Sequence, residues 1–268
     1  MEKKFMGFIG TGNMGGALAR AAVKNVAPEE ILLSNRHPEK ADALGKELGC
    51  TVTPVETVAG SCKYIFLGVK PQMMGDLMKQ IVPVLRQRND RFILVSMAAG
   101  LTMERIQTLA NGDYPVLRIC PNTPVGIGKG MTMWCSHDVT EAEEQEFLNA
   151  MAWAGEWDYC PENLMDAAMV VGGASPAFTY LFIEAMADGA VRCGLPRQKA
   201  LLYACRAVEG AAALAGQMKE HPGALKDAVC SPGGSTIVGI NALEEHAFRA
   251  GVMDAVYASC QRNKEMGK

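Results

Sequence analysis

Short apolar runs alternate with helical patterns through the first half of the chain, the signature of a parallel sheet wrapped by helices. Phe5–Ile9 reads as a first strand, and a small-residue helix follows with Ala17, Leu18, Ala21 and Ala22 on its inner face. Ile31–Ser34 is a second strand, and Pro38 opens a helix through Leu48 that Gly49 caps. Thr51–Thr53 and Tyr64–Val69 read as the third and fourth strands, the latter followed by a helix to about Gln87. Phe92–Val95 makes a fifth strand, and Thr102 is placed as the N-cap of a helix through Leu109. Val116–Cys120 and Gly130–Cys135 make the sixth and seventh, and a helix from about Thr140 to Ala154 closes this half.

From Pro161 the texture changes. Alanine becomes dense and strand signals vanish. Pro176–Cys193 and Pro196–Lys219 read as long helices, a short one follows Pro222, and two more run from about Gly234 to the end. The expected fold class is α/β: an N-terminal Rossmann-type doubly wound sheet over residues 1–161, then an all-helical domain over 162–268. A single helical layer would leave much of its Ala, Leu and Met exposed, so at least a dimer is expected.

The 268 residues are 49% hydrophobic, enough to bury a large core. Lys and Arg number 26 against 29 Asp and Glu, with neither a basic tract nor arginine–aromatic interleaving, so nucleic acid is not an expected partner. The nine cysteines are scattered singly, which argues for free thiols in a reducing cytoplasm and against a disulfide framework or a zinc site; no metal is expected. Lys3-Lys4 before an apolar run mimics a signal peptide, but the glycine turn that follows reads better as strand and helix. The uncharged stretch Ala167–Ile183 is short for a membrane span and is interrupted by Gly172, Gly173 and Pro176, so buried helices are expected there rather than a membrane segment.

The candidate chemistry begins at Gly10-Thr11-Gly12-Asn13-Met14-Gly15, between the first strand and its helix. Gly10 allows a tight turn, Gly12 lets backbone approach a pyrophosphate, and Gly15 lets the helix pack on the strand. The helix N-terminus offers free N–H groups to phosphate. A glycine turn with no ligand is the plain alternative, and the strand–helix context favours a dinucleotide site. An NAD-preferring chain would carry an acid about twenty residues on. Here the second strand ends Ser34-Asn35-Arg36, with no acid to repel a 2′-phosphate and an arginine able to pair with one. NADPH is therefore the expected cofactor, with NADH possible. Val69-Lys70-Pro71 and Ala98-Ala99-Gly100 fall at the carboxyl edge of the sheet, where small residues would let the nicotinamide ribose approach. Asn122 and Thr123, in the stiff Pro121–Pro124 segment, offer hydrogen bonds. Cys120 has no neighbouring base to lower its thiol pKa, and the four histidines form no triad or metal spacing. Ser231-Pro232-Gly233-Gly234-Ser235-Thr236 opens a helix with a bend and two hydroxyls, which suits a carboxylate; taken alone it reads better as a plain N-cap.

Together these pieces resemble the pyrroline-5-carboxylate reductase family. The matches include Phe8-Ile9-Gly10-x-Gly12-x-Met14-Gly15, Ser34-Asn35-Arg36, Val69-Lys70-Pro71, Ala99-Gly100, Pro121–Pro124, Asp188-Gly189-Ala190, Gly194-Leu195-Pro196 and His221-Pro222-Gly223 through Asp227. The most specific is Ser231-Pro232-Gly233-Gly234-x-Thr236 with Ala242-Leu243-Glu244 after it. The resemblance implies a Rossmann domain plus a helical domain that interlocks two subunits, and reduction of 1-pyrroline-5-carboxylate to L-proline by NAD(P)H. It implies that the loop Ser231, Gly233, Gly234, Ser235 and Thr236 holds the substrate carboxylate, that Thr236 is catalytic at the ring nitrogen, and that Glu162 lies near the substrate. Three positions depart from the family pattern. Gly172-Gly173-Ala174-Ser175-Pro176-Ala177-Phe178 replaces the usual Gly-Ser-Gly-Pro-Ala-Tyr, Thr53-Pro54-Val55-Glu56 stands where a cofactor-contacting Asn is common, and Ala228 replaces a polar residue. A hydroxyacid dehydrogenase of similar build would carry a lysine on its long interdomain helix, and Pro176–Val191 has none. A cofactor-sensing regulator without catalysis would have no need of an intact Ser231–Thr236 loop.

Overall fold

In the computed structural model, which describes residues 2–266, the apolar run at the start becomes the strand β1 (Lys4–Ile9). Around it lie β2 (Ile31–Ser34), β3 (Thr51–Val52), β4 (Cys62–Leu67), β5 (Ile93–Ser96), β6 (Val116–Cys120), β7 (Gly130–His137) and β8 (Gly155–Tyr159). Their order across the sheet is β3-β2-β1-β4-β5-β6-β7-β8. All neighbours pair in parallel except β6 and β7, so the sheet is mixed rather than purely parallel. The chain winds outward from β1 to β3, then returns to start again at β4. The strand order therefore reverses between β1 and β4, which is where doubly wound sheets bind ligands.

Both faces of the sheet are buried, which is why its central strands read as continuous apolar runs. Met6, Phe8, Tyr64, Phe66, Val95 and Ile119 face the helices α1 (Asn13–Ala22) and α6 (Glu141–Ala150). Phe8 stacks on Phe66 with ring centroids 4.2 Å apart. Ile9, Ile65, Leu67 and Leu94 face α3 (Val55–Ser61), α4 (Met74–Leu85) and α5 (Met103–Ala110). The helix α2 (Pro38–Leu48) follows β2 and buries Ala41 and Leu44.

Two elements differ from the sequence-based expectation. The edge strand β8 is Gly-Glu-Trp-Asp-Tyr, whose exposed acids hide it from a search for apolar runs. It is held by pairing with β7 and by Trp157 packed edge-on against Phe147. The short α3, with Val55, Thr57, Val58 and Gly60 among its seven residues, has little helical propensity of its own; burial of Val58 and Ala59 sustains it. Thr102 does cap α5, accepting a hydrogen bond from the Arg105 N–H at 3.1 Å.

The chain divides into two compact units. One holds residues up to Ala174 together with those from Ser259 on; the other is Ser175–Ala258. The division lies beyond residue 161 because the short helix α7 (Met165–Met169) and the π turn after it, Val170–Ala174, belong to the sheet unit. Met165 packs there with Cys120, Met133, Cys135 and Cys160. Met1 and Gly267–Lys268, the outermost residues of the two expected domains, lie outside the described residues.

The second unit contains α8 (Ser175–Arg192), α9 (Arg197–Met218), α10 (Pro222–Ala228), α11 (Ser235–Glu245) and the first part of α12 (Phe248–Met266). Gly172, Gly173 and Pro176 do not break the helical run. The chain passes through the two glycines as a π turn, which re-registers the hydrogen bonds just ahead of Pro176, a residue that cannot donate one. The expectation of buried helices is not met within one chain. In α8 only Ala187 is buried, and Tyr180, Leu181 and Met186 lie exposed. The run 162–192 is long and apolar enough to cross a membrane by length and composition alone, and 6% of its most apolar window is buried within the chain.

Candidate active site

The carboxyl ends of β1, β2 and β4 surround a cleft of ≈ 1220 Å³ in the sheet unit. It gathers Gly10, Gly12, Asn35, Arg36, Val69 and Lys70 from among the residues expected to bind a cofactor. Each glycine of the first turn has its own reason. Gly10 takes φ +100°, and a β-carbon there would lie 2.3 Å from the Gly68 carbonyl oxygen. A β-carbon on Gly15 would lie 2.0 Å from the Gly10 oxygen, so this glycine lets α1 sit close on the turn. At Gly12 a β-carbon would meet nothing within 4 Å. Packing within the fold does not demand glycine there, whereas close approach of a ligand would.

The start of α1 carries no side-chain cap and no acid in its first turn, leaving its N–H groups directed outward. The Thr11 hydroxyl, 6% exposed as a residue, has no hydrogen-bond partner. A buried unpaired hydroxyl beside uncapped helical amides is a donor set that fits a pyrophosphate. Asn35 ties this turn to the next loop, its Oδ1 accepting from the Thr11 N–H at 3.3 Å and its Nδ2 donating to the His37 oxygen at 2.9 Å. Arg36 follows on the cleft wall, exposed, and among the described residues nothing pairs with its guanidinium or with the Lys70 ammonium. Pro71 opens the turn after Lys70.

Other expected positions fall elsewhere along the same sheet edge. Ala98, Ala99 and Gly100 follow β5 and are not part of the cleft wall. Thr123 is exposed after β6. The Asn122 side chain, expected to contact cofactor, is committed to the fold. Its Nδ2 donates to the Gly172 oxygen at 2.8 Å and its Oδ1 accepts from the Met131 N–H at 3.1 Å. Glu162 is likewise engaged: its Oε1 lies 2.9 Å from Arg118 Nη1 and accepts the Met103 N–H at 2.8 Å. Thr53–Glu56, noted in the sequence only as standing where a cofactor-contacting Asn is common, line the cleft wall, and Asp76 and Gln80 on α4, which the sequence did not point to, line it too. Gln80 donates to Glu56 at 2.7 Å, joining α3 to α4. The signal available was that Thr53 follows a strand at the sheet's carboxyl edge. Cys120 is buried, and burial pushes its thiol up to about 11, which removes it as a nucleophile.

In the second unit the stretch Ser231–Thr236 forms a tight bend. The Gly234 N–H donates to the Ser231 oxygen at 3.0 Å, and Gly233 takes φ +69°. α11 then starts at Ser235 with no side-chain cap and no acid in its first turn. Its first residues, Ser235 and Thr236 included, are exposed, so several N–H groups and two hydroxyls converge at an accessible helix start.

A dinucleotide crevice at the switch point of a doubly wound sheet, carrying an unpaired arginine in place of the usual acid, defines an oxidoreductase of the NADP-dependent Rossmann class. Residues 6–100 match the family model described as NADP oxidoreductase coenzyme F420-dependent, and residues 162–266 match that described as pyrroline-5-carboxylate reductase dimerisation. Over its whole length the chain is 38% identical to the whole of a pyrroline-5-carboxylate reductase from Escherichia coli. It is 39% identical to one from Synechocystis, with 98% of each chain covered. The crystal structure of pyrroline carboxylate reductase from Plasmodium falciparum with NADP bound superimposes with a TM-score of 0.89 at 29% identity, covering 100% of both chains. The chain belongs to the pyrroline-5-carboxylate reductase family.

Proposed function

We propose that this protein reduces 1-pyrroline-5-carboxylate to L-proline with NADPH as the hydride donor. The observation that carries this reading is the Ser231–Thr236 bend, an uncapped helix start with exposed amides and hydroxyls, in a chain whose other unit holds a dinucleotide cleft. When bound, NADPH supplies a hydride from C4 of its nicotinamide. The residues of this chain bind and orient. The Thr11 hydroxyl and the α1 amides hold the pyrophosphate, with Asn13, Met14 and Gly15 supplying the first helical turn. Arg36 pairs with the 2′-phosphate, and Lys70 adds positive charge to the same cleft. Ala98–Gly100 presents small side chains to the nicotinamide ribose. In the substrate loop, the amides and hydroxyls of Ser231 and Gly233–Thr236 take the carboxylate, and the Thr236 hydroxyl orients the ring nitrogen. The protonated imine is already electrophilic, so the hydride that reaches its carbon gives the secondary amine directly and no strong general acid is needed. The absence of a triad in the sequence agrees with that chemistry. A homo-oligomer in a reducing cytoplasm, away from membrane and nucleic acid, is the setting that fits the nine free cysteines and the uncovered helical unit.

The test is steady-state kinetics with two imines. Thr236→Ala should lower kcat/KM for 1-pyrroline-5-carboxylate by on the order of 10- to 1,000-fold, with NADPH binding nearly unchanged. Pyrroline without its carboxylate should be a very poor substrate of the native enzyme, because the loop's donors are then left unpaired. Equal turnover of both imines, or a fully active Thr236→Ala, would reduce the loop to an ordinary helix start.

A further inference from the structure

Arg118 stands inside the sheet, on β6, with its side chain 3% exposed. Its neighbours in register are Ser96 on β5 and Cys135 on β7. A buried cation is costly unless it is matched by anions. It finds them after β8: Nη1 lies 2.9 Å from Glu162 Oε1, and Nη2 lies 3.5 Å from Asp166 Oδ1. The oxygen of Glu162 that meets Arg118 also accepts the backbone N–H of Met103 at 2.8 Å. Met103 is the first residue of α5, where a carboxylate is favoured by the helix dipole.

The connection between β5 and α5 is Met97–Thr102, and it contains Ala98, Ala99 and Gly100. Within it the Leu101 N–H reaches the Ala98 oxygen at 3.3 Å, and Gly100 takes φ +75°. One end of this loop is fixed by the strand. The other is fixed by the chain of contacts Arg118–Glu162–Met103. We propose that Arg118 and Glu162 are positioning residues, which through the Met103 amide set the Ala98–Gly100 loop for the nicotinamide half of the cofactor. This rests on the reading of that loop as a nicotinamide contact. It gives Glu162 a different part from direct substrate binding, and accounts for a charge kept buried within the sheet.

The experiment compares binding of NADPH with binding of 2′-phospho-ADP-ribose, which lacks the nicotinamide. The paired variant Arg118→Met/Glu162→Leu removes both members of the closer pair together, and Asp166, the more distant partner, is 32% exposed and left to solvent. It should weaken NADPH about tenfold and leave the fragment within about twofold. Glu162→Gln keeps an acceptor for the Met103 amide and should recover most of the lost NADPH affinity. If the paired variant does not fold, Arg118→Lys carries the same comparison, and the same split between NADPH and fragment is expected. Equal weakening of both ligands, or of neither, would overturn the proposal by reducing the contact to general stability. A raised KM for the imine with native NADPH binding would also overturn it, since Glu162 would then act on substrate. Failure of the native protein to bind either ligand would instead strike the cofactor reading on which the proposal rests.

Discussion

In the proposed reading, cofactor choice turns on Arg36. It sits exposed on the cleft wall after β2, held in place by Asn35, whose amide bridges the glycine turn and the His37 carbonyl. A charge-assisted hydrogen bond contributes roughly 1.5–3 kcal/mol, so Arg36→Ala should cost NADPH about tenfold or more in affinity and NADH little. Fluorescence titration with the two cofactors checks this, and equal losses would refute the assignment. The arginine was legible in the sequence because its place is defined by distance from a glycine turn. Thr11 was legible only as part of a motif; that its hydroxyl is buried without a partner required the surrounding backbone. Asn122 shows the reverse situation. An amide beside prolines reads as an available donor, and only the fold reveals that Met131 and Gly172 already use it.

At the scale of elements, α6 illustrates how local and long-range contacts are joined. Thr140 and Glu143 form a reciprocal capping box at its start, and Arg91 donates from Nε to Glu143 Oε1 at 2.9 Å. The Arg91 guanidinium and the Thr140 cap lower the Glu143 carboxyl to about 2 from an ordinary 4.5. A carboxyl depressed in the folded state stabilises the protein above its unfolded value, and that contribution is lost as pH falls through the folded one. Urea denaturation should therefore show stability declining from about pH 4.5 toward about pH 2. Glu143→Gln should flatten that decline; an unchanged slope would deny the contact its role. The strong periodic elements were legible in the sequence, α2 with its Pro38 start and Gly49 cap among them. β8 was not, because an edge strand needs apolar residues on one side only and its acids face outward. The direction of β7 was not either, since nothing in Gly130–Cys135 distinguishes a parallel neighbour from an antiparallel one.

For the whole molecule, the second unit poses a question of burial. Leu181, Leu202, Tyr203, Val238, Met253 and Tyr257 are exposed in the single chain, and Ala187, Ala200 and Ala204 are its buried apolar residues. A helical layer so bare cannot stand alone in water; it needs a second copy to cover it. Its residues fall within the span that matches the reductase dimerisation model. Sedimentation at micromolar concentration should show a dimer or larger species, and a stable, active monomer would contradict this. The sequence carried that conclusion through composition, since dense Ala, Leu and Met without a partner layer already implies a missing surface. The dimerisation match begins at residue 162, where the sequence changes texture, while the contacts within one chain join α7 to the sheet unit through the packing of Met165 with Cys120, Met133 and Cys135.

The central claim is that this chain moves a hydride from NADPH to the imine carbon of 1-pyrroline-5-carboxylate. Transfer of label tests it most directly. With NADPH deuterated at C4 on the transferred face, the account predicts L-proline carrying one deuterium at the former imine carbon, formed in step with NADPH oxidation. Proline without label, or no consumption of NADPH in the presence of the imine, would contradict it.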